Sequence, residues 1–144
     1  MLRKIMLSIF VLALALLTFA HLAAAAEMKA KANLTGASEV PGPGDAKGSG
    51  TVQVTLNSDK NEVCYDLSVK DLPEATAAHI HEGAVGKDGP VKVGLDAPKG
   101  GSAKGCKSAD AAVVKDIMAN PANYYVNVHN AAYPKGALRG QLSK

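Results

Sequence analysis

The chain has no tryptophan, and aromatic residues make up only 4% of its 144 positions. Aromatic platforms on which bases stack are therefore not on offer. It also lacks an excess of one charge: sixteen Lys+Arg stand against thirteen Asp+Glu, a formal net charge of +3. That is too near balance for a nucleic-acid-binding surface. There are only two cysteines, without the C-x-x-C spacing of a redox pair. No G-x-S-x-G elbow or Walker-type loop occurs, and carboxylates such as Asp66 and Asp71 fall at no distinctive spacing, so a hydrolase has nothing to build on. Fourteen Gly and seven Pro are ordinary counts that argue against disorder or a collagen-like repeat.

Long hydrophobic runs are absent but for one. Arg3 and Lys4 precede an apolar stretch from Ile5 to Ala20, and Ala24-Ala25-Ala26 closes it in small residues. That order predicts a secretory signal peptide over residues 1–26, cleaved before Glu27. The run is roughly 16 residues, short of the ~20 a membrane span needs, so an uncleaved anchor is the lesser alternative. The expected product is a single exported domain, residues 27–144, periplasmic or secreted and free of the membrane after cleavage. In such a compartment Cys64 and Cys106 are best read as one disulfide. Service as metal ligands or a redox couple is the other reading.

The exported part alternates with period two. Val52, Val54 and Leu56 are one such set; Val63, Tyr65, Leu67 and Val69 another; then Val91, Val93 and Leu95; Tyr124, Val126 and Val128; and Leu138, Gly140 and Leu142. Each set marks a strand with one apolar face. Turn signals lie between them, among them Pro41-Gly42-Pro43-Gly44, Asp59-Lys60-Asn61, Lys87-Asp88-Gly89-Pro90 and Pro134-Lys135-Gly136. About seven or eight short strands at this spacing predict an all-β antiparallel sandwich or barrel. One segment departs: Ala109 to about Ala119 reads as a short connecting helix capped by Ser108, with Asp110 in its first turn and Asn120-Pro121 as the stop.

The histidines of residues 27–144 fall in two short stretches, His79 and His81 in one and His129 in the other. Ala78 and Ile80 take the buried parity, so His79 and His81 project together from the opposite face, about 6.6–7 Å apart at Cα. Val126 and Val128 place His129 on the non-core side likewise. If the strands are neighbours, three imidazoles converge, a set suited to copper and, less so, to zinc. Solvated polar residues on a wet strand face are the bland alternative.

The stretches TAAHIHEGAVGKDGPV (76–91) and YYVNVHNAAYPKGALRGQL (124–142), with the opening Leu34-Thr35-Gly36 to Glu39-Val40-Pro41, resemble the CHRD domain over about residues 28–142. The resemblance implies a Greek-key, immunoglobulin-like β-sandwich. It implies no settled activity, although it makes a non-catalytic module that captures a protein partner one reading. A looser resemblance is to copper–zinc superoxide dismutase, which also uses an H-x-H strand for copper. Carried over, His79 and His81 match that pair and His129 supplies a third ligand. No fourth histidine and no zinc-binding loop match, which leaves at most a copper-only centre. Arg139 is the only arginine after Lys4. A hairpin register pairing residues 129 and 139 would set it across from His129, where a guanidinium guides an anion such as superoxide. A structural arginine is the alternative. Glu82 either orients an imidazole or sits in a turn. The expected function is thus transition-metal binding, copper first, by an exported protein; dismutase-like oxidoreduction and partner capture follow.

Overall fold

The computed structural model describes residues 26–144, so the expected leader lies outside the described residues except for Ala26. The strands are β1 (Glu27–Thr35), β2 (Ser49–Asn57), β3 (Glu62–Lys70), β4 (Ala75–Glu82), β5 (Val91–Leu95), β6 (Ser102–Ser108), β7 (Tyr124–Asn130) and β8 (Leu138–Gln141). Their apolar parity follows the sequence. Ala30, Ala32 and Leu34 of β1 face Val52, Val54 and Leu56 of β2 and Val63, Tyr65 and Leu67 of β3 in one core. Ala78, Ile80, Val93, Val126, Val128 and Leu138 complete it from the other half. Every pairing is antiparallel.

All eight strands belong to one hydrogen-bonded sheet in the order β5-β4-β7-β8-β1-β2-β3-β6. The sheet curls until its two ends meet through side chains. Asp96, just beyond β5, accepts from Tyr65 Oη of β3 at 2.7 Å and from Lys107 Nζ of β6 at 2.7 Å. The result is nearly a barrel. The all-β antiparallel architecture with one helix is as the alternation predicts, realised as a continuous sheet. Cys64 and Cys106 lie directly across the β3–β6 register at disulfide-bonding distance. Among the described residues no helix is long and apolar enough to cross a membrane.

The helix, α1 (Ala111–Ala119), starts later than the sequence suggested. Asp110, not Ser108, is its cap: the carboxylate accepts from the Ala112 N–H at 2.8 Å and the Val113 N–H at 3.4 Å. Ser108 is the last residue of β6, and the next N–H, that of Ala109, is already bonded to Asn61 O at 2.9 Å. The chain is therefore held to the β2–β3 turn until Asp110 frees it. Val114 and Ile117 turn inward onto the core. Asp110→Ala is expected to lose about 1 kcal/mol, read by urea denaturation at constant m-value; no loss would deny the cap its role.

Two loops fold over the outward face of β4, β7 and β8. The 36–45 segment brings in Glu39, 5% exposed, and the 83–90 segment reaches across from the end of β4. That cover explains why β7 is buried on both faces along most of its length.

Candidate metal centre

β4 and β7 are neighbours, and their register sets Ala77 across from His129 and His79 across from Asn127. His79, His81 and His129 consequently converge on one face. Ring centroids are 5.5 Å apart for His79–His81, 5.0 Å for His79–His129 and 6.5 Å for His81–His129. One ligand nitrogen from each ring lies within 4.8 Å of the others. His81 is only 9% exposed, while His79 and His129 are half-buried. The site is therefore a recess under the loops and not the wet strand face that the alternation suggested.

Backbone carbonyls set two of the rings. His81 Nδ1 stands 2.8 Å from Gly89 O, and His129 Nδ1 stands 3.0 Å from Pro134 O. A carbonyl oxygen only accepts, so the proton is on Nδ1 in each ring and Nε2 is a lone pair. Carbonyl partners of this kind orient imidazoles that bind metal. His81 Nε2 is buried and has no hydrogen-bond partner among the described residues, a cost that a cation would remove. His129 Nε2 lies 3.2 Å from His79 Nδ1. Two nitrogens each about 2.0–2.1 Å from one tetrahedral ion stand roughly 3.3 Å apart, so the spacing fits an ion between them. Burial, then the neighbouring imidazoles, holds His79 below the ordinary histidine range, and burial does the same for His129. Both effects keep the rings neutral, the form that binds metal.

Around the rings lies a layer that the sequence reading missed. Tyr125 stacks on His81 at 4.8 Å with an interplanar angle of 10°. Arg139 lies over the Tyr125 ring, its Cζ 3.5 Å from the centroid. The Tyr125 hydroxyl donates to Asp88 at 3.0 Å, and burial together with that carboxylate raises its pKa. Asn127 donates to the buried carboxylate of Glu39 at 3.4 Å. Tyr125 and Asn127 share the parity of His129, so the alternation that located the histidine also marked its neighbours. The loops that bury them left no periodic signal.

Arg139 does not stand across from His129. The β7–β8 register pairs it with Asn127, because the turn closes with Val128 opposite Leu138 and Ala137 N–H on Val128 O. It is 2% exposed, and its Nη2 donates to Ala84 O and Lys87 O at 3.0 and 2.8 Å. The Glu82 carboxylate, at the end of β4, pairs with Lys92 at 2.7 Å on the surface. Glu62, Cys64 and Cys106 form a second cluster of ligand-type residues, but the two sulfurs are engaged with each other.

A family model described as the CHRD domain matches residues 30–142. No curated protein and no solved structure matches the chain.

Proposed function

The chain belongs to the CHRD domain family, and from that premise we propose that it is an exported protein that binds one transition-metal ion, copper first, through His79, His81 and His129. The observation that carries the reading is the buried, unpartnered Nε2 of His81, in a ring whose Nδ1 is already committed to Gly89 O and beside two rings that present nitrogens at ligand spacing. Three imidazoles suit copper and zinc, and among divalent ions of the first row copper binds such a set most tightly. When bound, copper supplies a one-electron couple. The chain's own part is to hold three neutral rings in place, exclude water from His81, and keep the remaining side of the recess open at the half-exposed His79 and His129.

That open side supports a second reading, dismutase-like chemistry on a small anion, for which Arg139 would have to act through Tyr125 and not by touching the anion. The run at residues 5–20 and the paired cysteines support a periplasmic or secreted location. The Greek-key, immunoglobulin-like sandwich is the finer description of the curled sheet that we adopt from the family.

Titration with Cu(I), Cu(II) and Zn(II) against a competing chelator tests the reading, wild type beside His79→Ala/His81→Ala/His129→Ala. One equivalent bound tightly by wild type and at least about 100-fold more weakly by the variant is expected; equal weak binding by both would sink it. Superoxide removal assayed on the copper-loaded samples separates storage from catalysis. Affinity is expected to hold at neutral pH and to fall as pH drops below about 6.5, where imidazoles take up protons. The lowered pKa values of His79 and His129 move that loss to lower pH than an exposed histidine would show. Chelator competition across that range checks it, and a flat profile would exclude the imidazoles as ligands.

A further inference from the structure

The 83–90 loop carries the carbonyl that sets His81, and the loop is itself held from outside. Backbone bonds pin its ends, Glu82 N–H on Pro90 O at 3.1 Å and Gly83 N–H on Asn123 O at 2.7 Å. Between them the chain turns, with Lys87 N–H on Ala84 O at 3.0 Å. Arg139 reaches into that turn: its Nη2 donates to Ala84 O at 3.0 Å and to Lys87 O at 2.8 Å. Two residues further on, the Gly89 N–H donates to Asp88 at 2.9 Å and to the Tyr125 hydroxyl at 3.3 Å. The carbonyl of the same Gly89 accepts from His81 Nδ1 at 2.8 Å.

The ring of Tyr125 joins these grips, since both His81 and the Arg139 guanidinium lie against it. His81 thus takes its orientation from a loop, and the loop takes its place from Arg139. His129 gives a contrast within the same site, because its Nδ1 is set by Pro134 O of a different turn. Arg139 is a costly way to hold a loop. It is 2% exposed, forms no ion pair among the described residues, and its Nη1 is buried there without a hydrogen-bond partner. A buried cation with no carboxylate beside it is a poor device for stability, and departures of that kind gather at functional sites.

We propose that Arg139 is a positioning residue of the metal centre: by holding Ala84 O and Lys87 O it seats the loop so that Gly89 O keeps the proton on His81 Nδ1 and leaves Nε2 as the ligand atom. This rests on the metal-binding reading and extends it beyond the three histidines. No proton is gained or lost; the seated loop selects which nitrogen of a neutral ring carries it.

Nitrogen-15 NMR of the metal-free full chain reads the protonated nitrogen of each ring and the exchange of the guanidinium hydrogens. In wild type, His81 and His129 are expected to carry the proton on Nδ1, and the Nη2 hydrogens of Arg139 to exchange slowly. Arg139→Met, which keeps the length and removes every donor, is expected to give mixed tautomers at His81 alone. Chelator competition should then show Zn(II) and Cu(I) bound roughly 10-fold more weakly. Gly89→Ala displaces the loop with Arg139 in place, because a Cβ there would run into Glu82 O, and is expected to reproduce both changes. Tautomers lost at His81 and His129 together in Arg139→Met mark a residue of general structure and overturn the proposal. So does a folded variant of either kind with His81 tautomer and affinity unchanged. A wild-type His81 protonated on Nε2, or Arg139 Nη2 hydrogens that exchange freely, overturns it without any variant, so a misfolded Arg139→Met does not shield it. A wild type that binds neither ion defeats the metal-binding reading, and the His81 tautomer in metal-free Arg139→Met still decides the role of Arg139.

Discussion

Cys64→Ser/Cys106→Ser is expected to lose about 4 kcal/mol of stability, the chain-entropy value for a link across 42 residues. Against the roughly 5–15 kcal/mol of an ordinary domain, that is a large share. The location adds to it. β6 ends the sheet order and has a single hydrogen-bonded neighbour, β3, so the covalent link ties down an edge strand. The ion pair beside it, Lys104 with Asp66, is exposed and contributes about 0–1 kcal/mol at most. Guanidinium denaturation of the variant, beside wild type under reductant, checks this; the two should coincide, and a loss under about 1 kcal/mol would refute it. Metal affinity should be unaffected, since β3 and β6 carry none of the three histidines.

The second large effect lies at Glu39. Burial pushes its carboxyl from 4.5 up to about 7, against the lowering influence of Asn127, Arg139 and the Val40 N–H, while Asp88 adds a small push upward. The folded protein thus holds this proton more tightly than the unfolded chain does. Its contribution is fully present below the unfolded value and is lost as pH rises through the folded one. At 1.36 kcal/mol per unit, the change over that window is at most about 3 kcal/mol. Glu39→Gln removes it, so the stability of wild type relative to the variant is expected to fall by about 2–3 kcal/mol between about pH 4.5 and 8. His79 and His129, with lowered pKa values, act oppositely by losing stability as pH drops below the ordinary histidine range. They are present in both proteins and cancel in the difference. Urea denaturation across pH decides, and parallel curves would contradict the buried, proton-retaining carboxyl.

The alternation of Val63, Tyr65 and Leu67, or of Val126 and Val128, was enough to predict antiparallel strands and their inward faces, because one face of each meets a core. It also placed His79, His81 and His129 on one side. What it did not contain was the cover. Glu39 comes from a loop 88 residues away from Asn127 in sequence, and nothing periodic announces such a contact. The register of the last hairpin was misjudged for a related reason. Its closing turn is set by Asn130 Oδ1 on the Tyr133 N–H and by Gly136, whose φ of 147° suits glycine; this moves Arg139 two positions along β7, from His129 to Asn127, with the face of each residue unchanged. A Cβ at Gly136 would run into the Glu39 carboxylate, so turn and loop were fitted to each other in a way visible only in three dimensions. Asp110 was read as a favourable charge in the first turn, two positions inside a helix that it in fact caps.

The sheet order also bears on how fast the molecule takes shape. β8 lies beside β1, so Thr35 pairs with Arg139 and Ser143 reaches Lys31 across 112 residues. Two other neighbour pairs in the sheet are likewise joined over long stretches of chain, β3 with β6 and β4 with β7, whose His79 and His129 are 50 residues apart. Such a topology has high contact order, and loop closure must be met before the pairings reward it. Folding in milliseconds to seconds is the expected regime. The β2–β3 hairpin, closed by the short 58–61 turn, is placed to form early, and the recess is among the last parts to appear. An ion present during refolding should therefore slow unfolding far more than it speeds folding.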